Sequence, residues 1–239
     1  ARYRKEATGS LDDQLLRELN DRLNYLRSLE EQKEKIIASI TEQEKMTDDI
    51  AKSIENAKTM TELEDIYRPF RPKRKTRASV AKALGLEPLA EAIYAQEKGT
   101  PAPEILAEDY LTDEVPDIES ALQGAKDIIA ELVSDDPNGR KLIRYAVHNN
   151  GMLTSKGADD DLGVYEMYKE YSEPVKSIAG HRVLAVNRGE KEGKLKVAIE
   201  FDKTIATDLL FNIHCKNNTK ATDLVIEAVE DSFSRLIFP

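Results

Sequence analysis

Apolar residues at Leu15, Leu19, Leu23, Leu26, Leu29, Ile36, Ile37 and Ile40 recur three or four apart within a stretch otherwise rich in charge. That period places them along one face of an α-helix and sends the charged side chains to the other. Ser10, Asp12 and Asp13 stand where a helix cap and first turn belong, with acidic groups favoured by the helix dipole. The spacing predicts one helix of some thirty residues, about 45 Å long. A chain that opens with such an element must build a helical assembly around it. The stripe is interrupted around Gln32 to Lys35, which argues against an extended coiled coil.

The segments that follow carry helix punctuation. Thr47 reads as the cap of a second helix ending near Lys58, and Thr61 with Glu64 as the capping box of a short third one. Arg68-Pro69 ends that helix, because the residue before a proline disfavours helical geometry. "TRASVAKALGLEPLAEAIYAQ" reads as helix, turn at Gly85, helix, with Val80, Ala81 and Leu84 facing Leu89, Ala92 and Ile93. This is the spacing of a helix-turn-helix pair over residues 77–97, although ordinary helical hairpins share it. A short helix is expected around Pro103 to Tyr110, and an amphipathic one capped by Asp117. Another starts at Asp135-Asp136-Pro137 and is terminated by Asn150-Gly151. Residues 154–163 read as an exposed loop, and "VYEMYKEYS" as a short helix.

At "HRVLAVNRGEKEGKLKVAIEFD" the period changes. Leu195, Val197, Ile199 and Phe201 alternate strictly, and Val183 to Val186 offers a facing strand across "NRGEKEG". A β-hairpin near residues 181–201 is the expectation. Two helical segments close the chain. The expected fold is therefore mainly α: a helical bundle with a long N-terminal helix, a helix-turn-helix-like pair and one hairpin. Residues 1–176 would form the helical region and 177–239 a hairpin-plus-helix segment. The apolar cluster at Leu236, Ile237 and Phe238 and the abrupt start at Ala1 suggest a piece of a longer polypeptide.

"YRPFRPKRKTRA", residues 67–78, concentrates Arg68, Arg71, Lys73, Arg74, Lys75 and Arg77 with no anionic residue, in a chain of formal charge −10. Pro69 and Pro72 stiffen it. Lysine and arginine clustered this way can neutralise phosphates and release counterions, and Tyr67 or Phe70 could stack on an unpaired base. The competing reading pairs the segment with the protein's own acidic helices, or docks it on another domain. Arg2 and Arg4 divide the same way, with bracing of the helical core preferred.

Nothing builds a catalytic or metal centre. His148, His181 and His214 are far apart, and His214-Cys215 lacks the companion ligands a zinc site needs. Cys215 reads as a small apolar filler near Phe211 and Ile213. "DDDLG" lacks the ligand pattern of a calcium loop. No cofactor, small-molecule substrate or membrane contact is expected. The single cysteine suits a reducing, cytoplasmic setting.

Three segments together carry a resemblance. "ARYRKEATGSLDDQLLRELNDRLNYLRSLEEQK", "TELEDIYRPFRPKRKTRASVAKALGLEPLA" and "YSEPVKSIAGHRVLAVNRGEKEG" resemble the N-terminal region of the Tex family of bacterial transcription accessory proteins, and "ALQGAKDIIAE" looks like the corresponding helix. The resemblance implies a multidomain nucleic-acid-binding protein whose helix-turn-helix region precedes an RNase H-like domain, helix-hairpin-helix elements and an OB-fold. This chain would stop before the RNase H-like domain. What it implies here is a non-catalytic module whose partner is an RNA or DNA backbone, with the transcription machinery as a possible protein partner. The alternative it leaves open is an interaction scaffold whose basic loop serves interdomain docking.

Overall fold

The computed structural model of the chain describes residues 13–159 and 161–238. The chain divides at Pro72/Lys73 into two compact units. Ser10 and Asp12, expected to cap the first helix, and Arg2 and Arg4 lie outside the described residues.

In the first unit the long amphipathic run forms α1, Asp13–Glu42, the thirty-residue helix the spacing predicts. Its second half buries Leu29, Ile36 and Ile40 against α2 (Asp48–Asn56) and α3 (Met60–Tyr67). Ile54, Ala57 and Leu63 complete that core, and a fully buried Ile or Leu side chain contributes roughly 1.5–3 kcal/mol. The interruption at Gln32 to Lys35 does not break the helix. Lys33 lies buried there because its ammonium donates to Glu30 Oε1 at 3.0 Å and to the Glu55 carbonyl at 2.9 Å. Thr47 caps α2, as expected. The cap of α3 is Thr59, not Thr61: the Glu62 amide donates to Thr59 Oγ1 at 3.1 Å, and the Glu62 carboxylate accepts from the Lys58 amide at 3.0 Å. Both threonines have a glutamate three residues on, but the helix begins at Met60, so Thr61 already lies inside it and Thr59 holds the extended cap position.

The second unit opens with α4 (Arg77–Ala83) and α5 (Glu87–Ala95), joined through Gly85 at φ +79°, a left-handed turn that glycine adopts without strain. Ala81, Leu89 and Ile93 bury their side chains, whereas Val80 remains partly exposed. Beneath the pair runs α7 (Ile118–Asp135), which approaches so closely that a Cβ on Gly124 would collide with Leu86 Cδ1. After a short α6 (Pro103–Ala107), Asp117 caps α7 and Asp136 caps α8 (Pro137–Asn150), both read from sequence. The closing helices α10 (Lys203–His214) and α11 (Lys220–Ser232) pack on α8 and on α7 and α5, sealing one core around Ile129, Val133, Leu210, Val225 and Val229.

The hairpin expected near residues 181–201 is not formed. Val183 to Val186 lie in a helix, α9 (Gly180–Lys191), and only the second half of the reading holds, as β3 (Leu195–Glu200). The partner of β3 is β1 (Met152–Gly157), antiparallel with Ser155 opposite Val197, and β2 (Glu170–Pro174) flanks β1 on its other side. Residues 154–157, read as loop, thus form the central strand, and "VYEMYKEYS" divides into a short 3-10 helix and β2. The physical reason lies in two side chains. Thr154 and Ser155 are polar yet buried, donating to the Ala198 carbonyl at 3.3 Å and the Tyr168 carbonyl at 2.7 Å, so β1 carries none of the apolar alternation that betrays a strand. The α9 helix rests on the sheet through Val183 and Val186, and Gly189 leaves room for Leu195.

Candidate nucleic-acid interface

The six cations of the basic segment fall on both sides of the division between the units. In the first, α3 ends at Tyr67, as the Arg68-Pro69 step predicts, and the chain runs on into a 3-10 turn, Arg68–Phe70. The turn is fastened from below. Tyr67 Oη and Ser39 Oγ share a hydrogen bond of 2.9 Å, and Gln43 Nε2 donates to the Phe70 carbonyl at 3.0 Å. Both rings pack against the core of α1 to α3. Tyr67 and Phe70 are half-buried, so part of each ring is taken up by packing within its own unit. Arg68 is half-buried and Arg71 exposed.

In the second unit Lys73 faces two carboxylates one helical turn apart on α7. Its ammonium lies 3.4 Å from Glu131 Oε1 and donates a short hydrogen bond to Asp135 Oδ2, with 28% of the side chain exposed. Arg74, Lys75 and Arg77 differ. They are exposed and, among the described residues, form no carboxylate pair. The backbone that carries them is held by a capping box, in which the Ser79 amide donates to Thr76 Oγ1 at 3.0 Å and the Thr76 amide to Ser79 Oγ at 2.8 Å. Lys75 and Arg77 bracket this fixed threonine, and α4 contains no acidic residue. Arg77 also borders a shallow cavity of about 550 Å³ whose wall includes Asp127 and Glu119.

A second polar cluster, not anticipated from sequence, surrounds the end of α5. Gln96 is fully buried at φ +52°. Its amide donates to the Tyr94 and His214 carbonyls at 3.1 and 2.7 Å, its Oε1 accepts from the Lys216 amide at 2.9 Å, and its own carbonyl accepts from Asn217 Nδ2 at 2.9 Å. Beside it, Tyr94 Oη bonds His214 Nδ1 at 2.8 Å, and His214 Nε2 lies 3.6 Å from Asp136 Oδ2. Burial pushes the His214 imidazole below its ordinary range, against the pull of Asp136, and raises the Tyr94 phenol. A neutral imidazole enclosed by its own fold braces helix ends and has no open face for chemistry. Gln96 heads the polar run Gln96-Glu97-Lys98, which reads as a solvated helix end, so nothing in the sequence marks it as buried. Among the described residues no group of three or more His, Cys, Asp or Glu side chains could hold a metal ion, and no helix is long and apolar enough to cross a membrane.

Comparison with known proteins converges on one family. Residues 98–232 match the model of the Tex central region and residues 1–41 that of the Tex-like protein N-terminal domain. The chain is 45% identical over its whole length to the uncharacterized protein YdcI of Bacillus subtilis, covering 34% of that protein. It is 41% identical over 84% of its length to the transcriptional accessory protein Tex of Neisseria gonorrhoeae, covering 27% of it. It is also 29% identical, over its whole length and 25% of the relative's, to S1 RNA-binding domain-containing protein 1 of Pongo abelii. The chain thus spans only a quarter to a third of the relatives it matches. With more than half of its residues under the central-region model, this chain belongs to the Tex family.

Proposed function

We propose that this region serves a transcription accessory protein as a non-catalytic module that lies along a nucleic-acid backbone, reading charge and not base identity. The observation that carries the reading is the state of Arg74, Lys75 and Arg77: three exposed cations, none in a carboxylate pair among the described residues, on a backbone pinned by the Thr76 capping box. A body of charge −10 repels polyanions at long range, so the contact has to be short-range and local. Arginine adds bidentate geometry on phosphate oxygens. Lys73, paired with Glu131 and Asp135, anchors the segment instead of meeting phosphate. The names of the gonococcal and orangutan relatives, a transcriptional accessory protein and an S1 RNA-binding domain-containing protein, point the same way.

Fluorescence anisotropy of labelled single-stranded RNA and duplex DNA between about 50 and 200 mM salt tests this. Three neutralised phosphates give a log–log slope of about −2.7 on duplex and about −2.1 on single strands. Over that salt range duplex affinity falls about 40-fold. Replacing Arg74, Lys75 and Arg77 by alanine abolishes the slope, and Lys73→Ala leaves it unchanged. A triple variant that binds with the wild-type slope refutes the assignment. One observation favours a second reading, in which the segment fastens the protein to itself or to a neighbouring domain: Lys73 already does so through α7. Absence of binding at about 50 mM salt selects it.

A further inference from the structure

The first half of α1 presents an apolar face that the three-helix core does not use. Leu19, Leu23 and Leu26 are 61%, 44% and 40% exposed, and with half-buried Leu16 they alternate three and four apart, the a and d positions of a heptad. The seam runs about 15 Å along the helix. It has a defined lower end, where Glu30 and Lys33 pair at 3.0 Å and Lys33 reaches the Glu55 carbonyl. Below that point α2 and α3 cover the helix.

Charge is sorted around this seam. At about 100° per residue, Arg22 lies some 60° to one side of Leu19 and Arg27 some 80° to the other, whereas Glu18 and Asp21 fall about 100° or more away. The two edges of the leucine face therefore carry arginine alone, although acidic residues are as common on this stretch. Arg22 is also held in place: its guanidinium lies 5.1 Å from the Tyr25 ring centroid, and Tyr25 Oη accepts from the Met60 amide at 3.0 Å. A second copy of the chain does not fit. In a parallel pair Arg22 would face Arg27 of the other copy, and in an antiparallel pair Arg22 would face Arg22.

We propose that this seam docks an amphipathic helix of another polypeptide whose leucine stripe is edged by carboxylates. Burial of the exposed leucines supplies attraction, and the two arginines select the sign of the partner's edges.

The test uses two synthetic helical peptides of about four heptads, leucine at a and d, one with glutamate and one with lysine at e and g. Each repels its own copies, so each is monomeric when titrated into the chain at moderate salt. The glutamate peptide binds, and the lysine peptide binds about tenfold more weakly or not at all. Leu19→Ser with Leu23→Ser removes binding while helical circular dichroism stays at the wild-type level. Arg22→Glu with Arg27→Glu reverses the preference, a readout that survives any modest loss of stability. Equal affinity for both peptides, or no binding to either, overturns the proposal. So does sedimentation showing a dimer of the chain that the Leu19/Leu23 variant dissolves, or footprinting that finds these leucines protected by the chain itself.

Discussion

Replacing Gly189 with alanine tests the corrected architecture of the sheet region. A Cβ at this position would stand 2.6 Å from Leu195 Cδ1, 2.9 Å from Leu195 Cγ and 3.0 Å from Tyr165 Cδ1. Both neighbours are buried, and Leu195 is fixed by its place opposite Gly157 in the β1–β3 ladder. Neither can swing into solvent, so α9 and β3 must separate. Overpacking of this kind costs about 1–3 kcal/mol, and two obstructing side chains on different elements place it near the upper end. Alanine's better helix propensity returns about 1 kcal/mol, leaving a net loss of about 2 kcal/mol. Hydrogen exchange of the β1 and β3 amides, read by mass spectrometry, should then run about thirtyfold faster than in the wild type. Leu195→Ala alone costs about 3 kcal/mol through its cavity, but in the Gly189→Ala background the new methyl occupies part of that space. The double variant should be less damaged than the summed singles by at least 1 kcal/mol or so. Were residues 183–186 a strand and Gly189 a loop residue, alanine would be harmless. Unchanged or improved protection, or simple additivity, refutes the packing described.

Three further outcomes are expected. Gln96→Leu removes three side-chain hydrogen bonds in a buried site and puts a branched side chain at φ +52°, which should cost roughly 3 kcal/mol or more in thermal or denaturant unfolding. Because burial holds the His214 imidazole below its ordinary value of 6.5, the unfolded chain takes up a proton there before the folded one does. The His214 contribution is complete above that value and is lost as pH falls through the folded one; an imidazole NMR titration placing His214 at or above 6.5 would contradict it. Glu131→Gln with Asp135→Asn should release Lys73 and steepen the duplex salt slope by about 0.9, which the same anisotropy titration reads directly.

The parts legible in the sequence were those stabilised locally. The long helix announced itself through leucines three and four apart, and Thr47, Asp117 and Asp136 marked helix starts because a cap bonds amides two or three residues ahead. What misled was non-local. The strand partner of Leu195–Glu200 lies some forty residues earlier, and the adjacent Val183–Val186, whose β-branched residues suit a strand as well as a helix, was the nearer candidate. The basic segment follows the same rule. Its composition was plain, but the separation of Lys73 from Arg74, Lys75 and Arg77 depends on Glu131 and Asp135, which α7 brings up from about sixty residues away. Tyr67 and Phe70 looked available as aromatics beside arginine, and only the packing of the first unit shows each to be half-buried there.

The fastening of Gln96 to Lys216 and Asn217 also sets an order of events during synthesis. The core of the first unit is assembled from α1 to α3 and can consolidate once these helices have left the ribosome. The helix-turn-helix-like pair cannot. Its last turn closes on a residue 121 positions downstream, an interval of roughly 6 to 24 s at ordinary elongation rates. Throughout that wait the apolar underside of α5 lacks the α11 surface that finally covers it. A nascent second unit is thus a client for chaperones until its final helices appear, while the first unit is already secure.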